Sequence, residues 1–221
     1  GFFSNIASHL LAASVINAPA GLYLSKILRP ETGVPVTQGT LRMDVEKLDS
    51  NVIEAAAGGA AQGVQLAINV AAMLMAFVAL VALLNYGLGW VGGLVGHPEA
   101  SLQLILGQLL RPLAWVMGTP WHDTAYVGGL IGVKTSLNEF VAYAQFAGDL
   151  GRGVALEPRS VIILTYALLG FANFSSIAIQ IGGIGGLAPE RRGEIARFGL
   201  RAMIAGNLAA FISACIAGML V

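Results

Sequence analysis

Apolar residues arrive in long stretches, and the polar residues between them fall in short clusters. Residues 1–25 carry no charge and end at Lys26 and Arg29, followed by Pro30-Glu31-Thr32-Gly33. That pattern predicts a spanning helix over 1–30 with a basic end in water, closed by a turn. Residues 31–63 read as a polar cytoplasmic segment with Arg42, Asp44, Glu46, Lys47 and Asp49, running into an Ala/Gly-rich piece. There Gly59 and Gly63 have the small-xxx-small spacing that allows close helix contact. Residues 66–84 are interrupted only by Asn69, and Asn85, Tyr86 and Trp90 suit an interface. A spanning helix is expected over 64–90.

The stretch 101–117 is amphipathic. Gln103, Gly107, Gln108 and Arg111 form one stripe, and leucines, Ile105 and Trp115 fill the rest. It reads as an interfacial helix lying along the membrane surface, with Pro112 a possible kink. Two further stretches break the spanning pattern. In 121–150, the uncharged arms 124–133 and 141–148 flank Lys134, Asn138 and Glu139. Each arm gives about 12–15 Å of helix, at about 1.5 Å per residue, against a hydrocarbon core of about 30 Å. The arms can enter a membrane and turn back, so a re-entrant helical hairpin is expected over about 121–150. A carboxylate held at its tip is costly and marks a substrate or ion path by default. Within about 159–187 a long stretch, uncharged from Ser160 onward, is polar at its centre, Gly170-Phe171-Ala172-Asn173-Phe174-Ser175-Ser176. A broken helix fits, because freed backbone groups are tolerated only where protein or water satisfies them. Residues 190–221 read as a final helix with Asn207 and Ser213 in its span.

Composition agrees. The chain is 56% hydrophobic and 11% charged, where a soluble domain carries about a quarter charged residues. The reading is an all-α membrane protein. Net charge is zero, so nothing points to nucleic acid. Cys215 is the only cysteine and reads as a small packing residue. His9, His97 and His122 are scattered and offer no metal site. The chain opens at Gly1 inside an apolar stretch, and is expected to be the C-terminal portion of a longer polypeptide whose N-terminal half supplies packing partners.

Basic residues set an orientation. With a hairpin that returns to its own side, Lys26, Arg29, Arg42, Lys47, Arg191, Arg192, Arg197 and Arg201 share one face, against Arg111, Arg152 and Arg159. A segment that crossed fully would even the split. The positive-inside rule favours the hairpin, makes the richer face cytoplasmic and puts the C-terminus outside.

Bland readings stand beside the functional ones. Glu139 could pair structurally with Lys134, although a spacing of five suits a regular helix poorly. Lys134 could snorkel or stabilise the tip. Asn138 could cap the second arm. Asn173 and Ser176 could serve only the backbone of a kinked helix, and Phe171 and Phe174 could be packing residues. The glycines at 182, 183, 185 and 186 read as close packing rather than a phosphate loop, because no strand precedes them. Gln65, Asn69 and Gln180 suit interhelical hydrogen bonds. A channel or a structural membrane subunit with a polar midplane site is the alternative to a carrier. An intramembrane enzyme lacks a catalytic pair, because Asp123 and Asp149 flank the hairpin far from its tip.

Gly132-Val133-Lys134 with Asn138-Glu139-Phe140-Val141-Ala142-Tyr143 resembles the second hairpin of the concentrative nucleoside transporter family. The run from Thr165 through Phe171-Ala172-Asn173-Phe174-Ser175-Ser176 to Ile179-Gln180-Ile181-Gly182-Gly183 resembles that family's seventh, broken helix. Ala188-Pro189-Glu190-Arg191-Arg192 fits the start of its last helix. The resemblance implies that Glu139, Asn173 and Ser176 bind ribose and that Phe171 lines the pocket; Asn138 and Lys134 stand beside them as candidate supporting residues. The chemistry suits a sugar: vicinal hydroxyls donate and accept, and a carboxylate, an amide and a hydroxyl complement them. The resemblance further implies a cation-coupled nucleoside symporter of the elevator type, for substrates such as uridine or adenosine. It implies a homotrimer in which 64–90 belongs to a fixed scaffold. The family's Gly-Gln-Thr-Glu hairpin, which reads the base, and its serine-rich cation site have no counterpart here and would lie upstream. No cofactor is implied. The coupling ion, Na+ in preference to H+, would be bound mainly by that upstream half. Compact loops favour a bacterial inner membrane. Purine against pyrimidine preference stays open.

Overall fold

The computed structural model describes residues 6–34 and 50–221. Every regular element among them is helical: α1 (Ile6–Leu28), α2 (Val52–Leu94), α3 (Leu102–Val116), α4 (Thr124–Ser136), α5 (Glu139–Gly151), α6 (Pro158–Leu168), α7 (Phe174–Leu187) and α8 (Arg192–Met219), the last preceded by a 3-10 turn at Pro189–Arg191. Helix α1, and α8 with its preceding turn, are long and apolar enough to cross a membrane.

Helix α8 is the post around which the site is built. It packs against α1, α6 and α7, and small residues on it, Ala209, Ala210, Ala214 and Ala217, are buried. Ser213 lies 2.5 Å from the amide oxygen of Asn17, which ties α1 to α8. On the other side Val127, Leu130 and Ile131 of α4, Phe146 of α5, and Ile163, Leu164 and Leu168 of α6 close a continuous apolar core. Burial at that density fixes helix positions and leaves the two chain breaks, 137–138 and 169–173, where polar groups can gather.

Two expectations need correction. Helix α2 does not start at 64. It begins at Val52, and the Ala/Gly run expected to belong to a polar segment is its first three turns. Asn51 makes the start: its side-chain oxygen accepts from Ile53 N at 3.0 Å and Glu54 N at 2.9 Å. Glu54 reaches back to Ser50 N at 2.8 Å. Alanine is the best helix former, the cap satisfies the first N–H groups, and the helix runs for 43 residues, ending at Leu94 rather than 90. At about 1.5 Å per residue that is about 65 Å. The charged residues Arg42, Asp44, Glu46, Lys47 and Asp49, like residues 1–5 of the first expected helix, lie outside the described residues.

The second correction concerns α3. Part of the polar stripe read from the sequence is its packing face against α4. Gly107 is buried against α4. A Cβ on Gly128 would come 2.6 Å from Gly107 O, and one on Gly132 would come 2.6 Å from Gln103 O. Facing glycines let the two backbones touch, and that contact outweighs the amphipathic pattern. Gln103 reaches Asn85 in the C-terminal part of α2, accepting from its Nδ2 at 2.9 Å. The outward face carries Leu104, Ile105, Leu109 and Trp115, and Pro112 does not interrupt the helix.

Candidate functional site

The hairpin turns within two residues. Ser136 and Thr135 return their hydroxyls to Gly132 O and Ile131 O, at 2.7 and 2.8 Å, closing the last turn of α4. Asn138 is extended and caps α5, accepting from Val141 N at 2.9 Å. Its side-chain oxygen therefore has a structural task. Glu139 is the first residue of α5 and sits half-buried at the positive end of that helix.

The expected break lies between α6 and α7. Leu169 leaves the helix in an extended conformation, and Gly170 adopts φ +111°, which a Cβ disfavours. Asn173 restarts the helix through a reciprocal cap. Its side-chain oxygen accepts from Ser176 N at 2.8 Å, and the Ser176 hydroxyl lies 3.2 Å from Asn173 N and 2.6 Å from Asn173 O. Asn173 is 0% exposed and Ser176 is 1% exposed. Phe171, by contrast, is 51% exposed on the unwound stretch.

The two breaks meet. Asn173 Nδ2 donates to Glu139 Oε2 at 2.9 Å. Beside it the Ser175 hydroxyl lies 2.9 Å from Leu137 O and 2.7 Å from Asn173 Oδ1, with one proton to give. The N-termini of α5 and α7 thus converge on one carboxylate, and both macrodipoles favour its charge. Tyr143 donates to Thr165 O at 2.5 Å and so satisfies a carbonyl in the last turn of α6.

Lys134 does not snorkel. It is fully buried, donates to Asn207 Oδ1 at 2.6 Å, and sits 5.8 Å from the Phe211 ring centroid. Sequence reasoning gives Asn207 no role in the site. The available signal is an amide in the middle of an otherwise apolar helix, which in a membrane wants a polar partner. The histidines lie on separate contacts: His9 with Tyr166 at 3.2 Å, His97 with Glu99 at 3.2 Å and His122 with Asp123 at 3.6 Å. A groove of about 950 Å³ runs between α2 and α7, lined by Gln62, Gln65, Asn69 and Gln180 among others. It does not include Glu139 or Asn173.

Residues 9–218 match the family model described as Na+ dependent nucleoside transporter C-terminus. The chain is 49% identical to the uncharacterized transporter YutK of Bacillus subtilis (strain 168) over 214 residues, 96% of this chain and 52% of that protein. It is 42% identical over 231 residues to solute carrier family 28 member 3 of Mus musculus, covering 99% of this chain and 33% of that protein. Among solved structures, a variant of CNTnw in an "intermediate 2" state superposes with a TM-score of 0.84 at 47% identity, covering 96% of this chain and 51% of that one. CNTnw in an inward-facing substrate-bound state gives 0.72 at 46% identity, covering 96% and 49%. The chain spans about half the length, or less, of the relatives it matches. The relatives are transporters rather than enzymes. On the family match over nearly its whole length, the chain belongs to the concentrative, Na+-dependent nucleoside transporter family, whose C-terminal region it represents.

Proposed function

We propose that this chain supplies the ribose-binding half of a cation-coupled nucleoside symporter. The observation that carries the reading is the bond between Glu139 and Asn173, which joins a helical hairpin to a broken helix at their tips. A ribose offers two adjacent hydroxyls. Glu139 retains oxygen lone pairs beyond the one used by Asn173, and the Asn173 amide has a second N–H. Together they form a donor–acceptor pair suited to a diol, with charge-assisted bonds from the sugar hydroxyls to the carboxylate. Ser176 contributes chiefly by holding Asn173, and its hydroxyl oxygen keeps acceptor capacity for the sugar. Exposed Phe171 supplies an apolar wall. Asn138 and Lys134 support the tip from either arm.

In this reading α4 and α5 form a re-entrant hairpin, and the hairpin moves with α6 and α7 against a scaffold containing α2, in the manner of an elevator. Support comes from the relative's structures: at nearly constant identity, 46–47%, this half matches different transport states with TM-scores from 0.72 to 0.85. The assembly is a homotrimer in a bacterial inner membrane with the C-terminus outside. Na+ is the favoured coupling ion, with H+ the alternative, and it is held mainly by residues outside this chain. One charge moving through 100 mV is worth about 2.3 kcal/mol, or about fifty-fold accumulation of a neutral solute.

The test is uptake of labelled uridine and adenosine by the full-length transporter in proteoliposomes, with imposed Na+ or H+ gradients. Saturable uptake that follows one gradient is expected. Gradient-independent flux that does not saturate would overturn the carrier reading in favour of a pore.

A further inference from the structure

We propose that Lys134 and Asn207 are positioning residues for the ribose site, forming a second, indirect tie between the hairpin and the break. The inference rests on the ribose-site reading above. Lys134 is on the hairpin arm opposite Glu139. Lys134 is 0% exposed, and its ammonium meets the neutral amide oxygen of Asn207 at 2.6 Å, within the field of the Glu139 carboxylate. Burying a cation against a neutral partner is costly, and packing alone would be better served by an apolar side chain. What the arrangement provides is position. Asn207 Nδ2 donates onward to Ala172 O at 2.9 Å, and to Met203 O on its own helix at 3.2 Å. Ala172 is the residue directly before Asn173, and its carbonyl belongs to the unwound stretch.

The contacts close a ring. From Glu139 the chain runs back through the tip to Lys134, across to Asn207 on α8, on to Ala172, and through Asn173 to Glu139 again. The direct bonds at the tip would by themselves let the hairpin pivot over the break. The second tie, anchored on the buried post α8, sets its tilt. Glu139 and Asn173 are then held in the register at which both reach one diol. An amide suits the middle of this relay, because it accepts on one side and donates on the other. An apolar residue breaks both links, and a carboxylate keeps only the first.

The experiment compares apparent KM for uridine with KM for 2′-deoxyuridine and 3′-deoxyuridine in the full-length transporter, for Lys134→Met, Asn207→Leu and Glu139→Gln. Misaligned hydroxyl ligands should raise KM for uridine by about tenfold. The deoxy analogues, which have already lost a hydroxyl, should shift by about twofold or less. A purely structural role lowers folded transporter and Vmax for all three substrates alike, so unchanged discrimination in Lys134→Met overturns the inference. Glu139→Gln separates the two ideas. If it leaves discrimination intact, the ribose-site reading fails. If it removes discrimination and Lys134→Met does not, the positioning role alone fails. Should Lys134→Met not fold, Asn207→Asp, which keeps the acceptor for Lys134 and loses the donor to Ala172 O, carries the same test.

Discussion

Glu139 and Asn173 stand 34 residues apart in sequence and 2.9 Å apart in space, each opening a short helix: one as its first residue, the other as its cap. Together they put two helix N-termini and an amide donor on one acid; in the ribose-site proposal that acid is the acceptor for a ligand's hydroxyls.

Glu139→Gln keeps size and removes charge. The amide still accepts from Asn173, but charge-assisted bonds to a sugar become neutral ones. A hydrogen bond to a charged group is worth about 1.5–3 kcal/mol against about 1 for a neutral pair. Uridine affinity, measured by calorimetry on the purified full-length transporter, should fall by about tenfold or more. Unchanged affinity would remove Glu139 from the binding site.

Ser176→Ala tests the cap. It removes the hydroxyl that bonds to Asn173 N and O, and the substitution is expected to cost about 1 kcal/mol of stability. With the anchor gone, Asn173 gains freedom and uridine KM rises. Asn173→Ala removes the cap and the Glu139 donor together, so its effect on KM should exceed that of Ser176→Ala. Equal effects would show that Asn173 does nothing beyond capping.

The hairpin and the break are legible in the amino-acid sequence because each is a polar interruption of an apolar run. Glu139 and Asn173 mark places where regular helix must stop or find a ligand. The start of α2 is not legible there. An Ala/Gly run fits a loop or a helix equally by hydropathy, and the deciding residue is Asn51, whose capping bonds exist only in the folded chain. The packing of α3 is hidden for a related reason: facing glycines at 107, 128 and 132 outweigh an amphipathic stripe. Asn207 carries a signal of polarity but not of partner, since its link to Lys134 spans 73 positions.

Asn51→Ala follows from the same cap. Losing two bonds to Ile53 N and Glu54 N should fray the first turns of α2 at a cost of about 1 kcal/mol. Faster hydrogen exchange over residues 52–58 is expected, with exchange near the α5 and α7 N-termini unchanged. Slow exchange retained across 52–58 would show that tertiary contacts, rather than the cap, hold that end.

The α3–α4 contact predicts a sharp difference between neighbouring glycines. A methyl at Gly128 would lie 2.6 Å from Gly107 O and 3.1 Å from Arg111 N. Both are backbone atoms that cannot swing aside, so the helices must separate. A methyl at Gly129 built on its own Cα meets nothing within 4 Å, and helix propensity there favours alanine by up to about 1 kcal/mol. Gly128→Ala should therefore lower the melting temperature of the purified full-length transporter, while Gly129→Ala should leave it unchanged or raise it. Because α4 carries Lys134 and the turn to Glu139, displacing it from α3 should also raise uridine KM in Gly128→Ala and not in Gly129→Ala. Equal behaviour of the two variants would mean that α3 does not set the position of the hairpin.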